Sequence, residues 1–168
     1  MLKPCIDRGW PVIVHPDAIE DASLWSDFGA LLCMENMDKR KHTGRTAGEL
    51  APFFESLPRA RLCFDIAHAR QVDPTLSNAR EILRMFGDRL AQVHISELDS
   101  AGRHERLSMS MVVTVQSLIA RLRPEAPAII ESQIASQEIQ SEIEMVRKAF
   151  SAPSSARVGG AVAQASSG

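Results

Sequence analysis

Five short apolar runs recur along the 168-residue chain, each separated from the next by one polar stretch of helix length. They are PVIVH (11–15), LLCMEN (31–36), RLCFDIA (61–67), LAQVHIS (90–96) and AIIES (128–132). Short runs that are apolar throughout suit strands buried on both faces, as in a parallel sheet covered by helices. The intervening stretches carry helix starts and stops. Asp17 is placed to cap a helix running to Phe28, and Thr46 one running to Leu57, where Pro58 stops it. Thr75 or Asp73 starts SNAREILRMF, and Gly87 ends it. Ser108 or Ser110 caps VVTVQSLIARL, which stops at Pro124, and Ser136 opens EIQSEIEMVRKAF. One strand–helix unit repeated five times is therefore expected, an α/β fold of the (β/α) barrel type. A closed eightfold barrel typically needs ~250 residues, so the expectation is an incomplete barrel of about five C-terminal units. Residues 1–150 form that domain. Its opening segment MLKPCIDRG reads as the end of a helix from a preceding unit. Residues 151–168, rich in Gly, Ser and Ala, read as a disordered tail.

Four of the runs end in a residue that can bind a metal: Glu35, Asp65, His94 and Glu131. In a parallel barrel the C-terminal strand ends converge on one pocket, so residues distant in sequence meet there. Side chains alternate along a strand, so Glu35 shares a face with Cys33, Asp65 with Cys63, His94 with Gln92, and Glu131 with Ile129. Any one of the four has an ordinary explanation. Asp65 could cap the turn IAHA, Glu131 could be a loop carboxylate, and His94 a hydrogen-bonded core histidine. All four at equivalent strand ends favour a shared site. Three carboxylates and one imidazole make a hard, oxygen-rich set that prefers one divalent ion of the Mn2+, Mg2+ or Co2+ kind over zinc. Such an ion polarises a carbonyl and its neighbouring hydroxyl, and a carboxylate beside it then removes the proton α to the carbonyl, giving an enediolate.

Around this set lie weaker candidates. His68 follows Asp65 by three residues and His15 ends the first run; both suit substrate binding. Arg103 and His104 sit in the long loop after the fourth run, Arg103 as a substrate-binding group and His104 as a ligand for a second metal. The run DKRK with Arg45 could clamp a phosphate, although charge runs are usually solvated.

Composition narrows the partners. Net charge is −2, so no basic excess points to a nucleic acid backbone. No apolar run reaches the ~18 residues of a membrane span. Three cysteines without CxxC spacing suit the reducing cytosol, so a cytoplasmic location is expected.

The motifs ENMD, FDIAHA, VHIS and IIES, in that order on successive strand ends, resemble the xylose isomerase-like TIM barrels. That superfamily includes sugar isomerases, sugar epimerases and the endonuclease IV group of abasic-site endonucleases. The resemblance covers roughly residues 10 to 150. It implies that Glu35, Asp65, His94 and Glu131 bind one divalent metal, that Glu35 and Glu131 are also the catalytic acid/base pair, and that His68 and Arg103 hold a sugar or sugar phosphate. The endonuclease IV branch uses three zinc ions and more histidines. There His15, His68 and His104 would serve, but Gly102 stands where its loop carries an aspartate. Three functions are thus in view: a sugar isomerase or epimerase, a metal-dependent phosphodiesterase on abasic DNA, and a non-catalytic truncated barrel or assembly module. An open five-stranded barrel exposes two strand edges, which implies a homo-oligomer or a barrel-completing chain.

Overall fold

The structure is a computed structural model and describes residues 3–151. Its centre is a five-stranded parallel sheet formed by β1 (Val12–Val14), β2 (Leu32–Glu35), β3 (Arg61–Asp65), β4 (Leu90–Ile95) and β7 (Ala128–Ile130), side by side in chain order. Sequential neighbours, all parallel and each reached through a crossover, are the wall of an incomplete (β/α) barrel. The helices are α1 (Lys3–Arg8), α2 (Ala47–Ser56), α3 (Ile66–Val72), α4 (Ser77–Phe86), α5 (Met109–Leu118) and α6 (Ile139–Phe150). A small antiparallel hairpin, β5 (Glu97–Leu98) with β6 (His104–Glu105), rises after β4. No helix among the described residues is long and apolar enough to cross a membrane.

The period-2 alternation of each strand divides the sheet into two chemically distinct faces. Leu32, Met34, Leu62, Phe64, Val93 and Ile95 point outward and are fully buried in one core with Leu50, Phe54, Ile82, Leu83, Met111, Val115 and Leu118 of the helices. Within that core the Phe54 and Phe86 rings lie 4.5 Å apart. The other face carries Cys33, Glu35, Cys63, Asp65, Gln92 and His94. The register sets Glu35 beside Cys63, Cys63 beside Gln92, and Asp65 beside His94. Two rungs of polar side chains are therefore stacked on the concave face, at the C-terminal ends of β2, β3 and β4.

Several expected elements differ. After β1 no α-helix forms. Two 3-10 segments, Pro16–Ala18 and Ala22–Leu31, replace it. Asp21 rather than Asp17 caps the longer one, accepting from the Ser23 amide at 2.9 Å, while Asp17 pairs with Lys41 at 2.6 Å. Gly29, at φ 53°, lies inside that segment and turns the chain into β2. A helix begins directly after β3, because Asp65 caps it by accepting from the His68 amide at 2.7 Å. Thr46 and Ser108 cap α2 and α5 as expected, whereas Ser110 lies within α5. Neither Thr75 nor Asp73 is the cap of α4. That position is Leu76, at φ 62°, and Asp73 accepts from the Asn78 amide from outside. The sequence from Ser136 opens a 3-10 turn that runs into α6 at Ile139. The proposed tail lies outside the described residues apart from Ser151.

Candidate functional site

The apolar part of each strand is anchored by the outer core, and its last residue emerges at the mouth of the sheet. Glu35 and Asp65 are the final residues of β2 and β3, His94 the penultimate residue of β4, and Glu131 follows β7. One ligating atom from each lies within 4.8 Å of the others. His94 is the hub, with Nδ1 at 3.2 Å from Glu35 Oε1 and 3.1 Å from Glu131 Oε1.

Asn36 holds the ends of β2 and β3 in step. Its side-chain amide donates to the Asp65 carbonyl at 2.9 Å and its side-chain carbonyl accepts from the Asp65 amide at 2.8 Å. This pair continues the sheet's hydrogen bonding by one rung after the strands part. Nothing in the sequence distinguished Asn36 except its place after Glu35. His68, on the first turn of α3, is buried with Nδ1 at 3.0 Å from the Asn36 backbone carbonyl and 3.6 Å from both Glu35 Oε1 and Asp65 Oδ2.

Each glutamate has a histidine of its own. His15 Nε2 lies 3.3 Å from Glu35 Oε2 and is half-exposed. His104 Nδ1 lies 3.6 Å from Glu131 Oε2 and 2.7 Å from Ser96 Oγ. The His104 and His68 rings are 5.8 Å apart. Arg103 stands apart from this group. Its side chain is 75% exposed and pairs with Asp99 across the hairpin at 2.8 Å. The cations of the basic run are also engaged, Arg40 with Asp38, Lys41 with Asp17 and Arg45 with Glu49. Arg40 reaches on to the Ala101 carbonyl at 2.8 Å, which ties the loop after β2 to the hairpin.

The electrostatics of the site centre on His94 and the carboxylates around it. Burial pushes the Glu35 carboxyl up, but hydrogen bonds from His15 and His94 outweigh it and hold it down to about 2. Burial likewise opposes charge on His94, yet Cys63, Glu131 and Glu35 outweigh it and push the imidazole up to about 12. Glu131 is lowered, His94 overcoming its burial. Asp65 goes the other way: complete burial, with Glu35 and Glu131 nearby, raises it well above the usual carboxylate range. His94 Nδ1, set between the Glu35 and Glu131 carboxylates, is thus the hydrogen-bonding group that favours their charged forms.

Asp65 Oδ2 stands outside these hydrogen bonds. It is fully buried and has no hydrogen-bond partner. Buried polar atoms are nearly always paired, and an orphan among three further donors fits a cation. The donor set, three carboxylates and one imidazole, is that of a hard divalent ion. Glu35, Asp65, His94 and Glu131 are the residues that would hold it.

The chain matches the family described as xylose isomerase-like TIM barrel over residues 17–149. No curated protein matches it. Among solved structures, that of apo 3-keto-D-glucoside 4-epimerase from E. coli is similar with a TM-score of 0.56 at 14% identity. The similarity covers 88% of this chain and 66% of that one, so the chain spans just under two thirds of that enzyme's length.

Proposed function

The chain belongs to the xylose isomerase-like TIM barrel family, and from that premise we propose that it carries the metal-binding part of a sugar or sugar-phosphate isomerase or epimerase. The observation that carries this reading is the convergence of four donors from four neighbouring strand ends around the unpartnered Asp65 oxygen. The structural likeness to a sugar epimerase is consistent with it.

Glu35, Asp65, His94 and Glu131 would hold a divalent ion, which would supply Lewis acidity to a carbonyl and the hydroxyl beside it. The protein's own part is proton transfer. Glu35 and Glu131 come from strands separated by two others, so they flank the cluster from opposite sides. One can take the proton from the carbon next to the carbonyl while the other returns one to the opposite face, which inverts that centre. Glu131 is the more open of the two, at 28% side-chain exposure against 5% for Glu35. Glu35 therefore exchanges its proton with solvent through half-exposed His15. His68 and His104, whose rings lie 5.8 Å apart, would hold sugar hydroxyls.

The test is wash-in of solvent deuterium. The protein loaded with Mn2+ is incubated in D2O with free and phosphorylated ketoses, and label at the carbon next to the carbonyl is read by NMR. Label in both substrate and epimer is expected. Binding of two or three ions with cleavage of abasic DNA and no exchange would instead establish the phosphodiesterase alternative.

A further inference from the structure

One rung below the oxygen-rich cluster lies Cys63. It shares a face with Asp65, and its neighbours across the sheet are Glu35 and Gln92. Its thiol is fully buried and lies within 4.8 Å of a ligating atom of Glu35 and one of His94. Its polar neighbour is the Gln92 side-chain amide, which donates to Sγ at 3.5 Å and lies 2.7 Å from His94 Nε2. Cys33, equally buried on the same face of β2, has a different surrounding. Its Sγ lies 3.9 Å from the Leu31 carbonyl, and it belongs to neither group of converging donors.

We propose that Cys63, Glu35 and His94 form a second metal position, selective for thiophilic divalent ions such as Zn2+ and Cd2+ and mutually exclusive with the oxygen-rich one. Two donor sets share Glu35 and His94. Asp65 and Glu131 complete the upper set and a thiol completes the lower. Thiolate selects zinc and cadmium, whereas carboxylate oxygens select magnesium and manganese. A Cys, His, carboxylate triad is a three-residue set of the kind that binds zinc with one position open. Ligand bonds of ~2.0 to 2.3 Å need only a modest contraction of the present spacing. Binding then exchanges the S–H bond for an S–metal bond and releases that proton to solvent. An ion in the lower position withdraws Glu35 and His94 from the upper one, so thiophilic metals act by displacing the hard ion. The lower position shares two ligands with the site of the proposed function but does not depend on its sugar chemistry.

The experiment is titration of the Cys5→Ser, Cys33→Ser double variant with Cd2+, followed by ultraviolet thiolate-to-metal charge transfer, with bound Mn2+ read by electron paramagnetic resonance. One equivalent of Cd2+ is expected to produce the band and to release bound Mn2+. Adding Cys63→Ser is expected to abolish the band and weaken Cd2+ at least tenfold, with Mn2+ affinity within about twofold of the parent. X-ray absorption of the Cd2+-loaded wild-type chain should show one sulfur with nitrogen and oxygen neighbours, which needs no variant to fold. No charge-transfer band, a band that survives Cys63→Ser, no sulfur at cadmium, or simultaneous binding of Cd2+ and Mn2+ would each overturn the proposal. Loss of deuterium wash-in with these results intact would sink the sugar reading alone.

Discussion

Replacing Asp65 by asparagine should stabilise the metal-free protein and weaken the metal-loaded one. Asp65 is fully buried, and Oδ2 has no partner. An unsatisfied buried polar group costs about 1–3 kcal/mol, and more when charged. In the Asp65→Asn variant the side-chain amide oxygen can keep the bond from the His68 amide, now 2.7 Å long. The new NH2 group then stands where Oδ2 stood and donates towards the carboxylates of Glu35 and Glu131. For a domain of this size each kcal/mol moves the melting temperature by roughly 2–4 °C, so a rise of roughly 2 to 12 °C in EDTA follows. Metal reverses the comparison. At one hundred times its dissociation constant, Mn2+ should stabilise the wild type by about 2.7 kcal/mol, or roughly 5 to 11 °C. The variant, lacking the carboxylate proposed as a ligand, should gain far less. Scanning calorimetry of both proteins in EDTA and in Mn2+ reads the four values. If the variant melts below wild type in EDTA, or Mn2+ raises both equally, the orphan oxygen is not a cation's seat.

Glu35→Gln and Glu131→Gln should each abolish deuterium wash-in while leaving far-ultraviolet circular dichroism unchanged, because Gln removes basicity at nearly constant shape; label that still enters with either variant would contradict the acid/base assignment. Asp38 is held below the usual carboxylate range because hydrogen bonds from Arg40 outweigh its burial. A lowered folded value contributes stability above the unfolded value and loses it as pH falls, so Asp38→Asn should melt lower at neutral pH, with the gap closing below about pH 4; a gap that does not change with pH would refute this. Leu62 is fully buried on the outer face of β3. Leu62→Ala should cost about 2–5 kcal/mol in chemical denaturation, and a loss under 1 kcal/mol would mean that this core is not packed as described.

The sequence by itself determined the wall of the barrel and its mouth. Continuous apolar runs of this length suit strands covered on both faces, and strict alternation then fixes which side chains share a face, so Glu35, Asp65 and His94 had to point the same way. Thr46 and Ser108 were legible as caps because capping depends on residues within one turn. The same local reasoning misassigned Asp17. It is a good cap by type, but Lys41, far along the chain, engages it, and Asp21 does the capping. It also set a cap and a ligand against each other at Asp65, where the structure gives one oxygen to the His68 amide and leaves the other free. Only the tertiary structure decided the partners of each site group: His15 on Glu35, His104 on Glu131, Asn36 across the Asp65 backbone, and Arg103 turned away to Asp99. These contacts depend on loop paths and strand stagger, and no spacing in one chain encodes how two loops from different strands meet. The periodicity of the backbone is a local property and can be read from the sequence. The complement of each charge is set by distance in space, and it appears only when the sheet is folded.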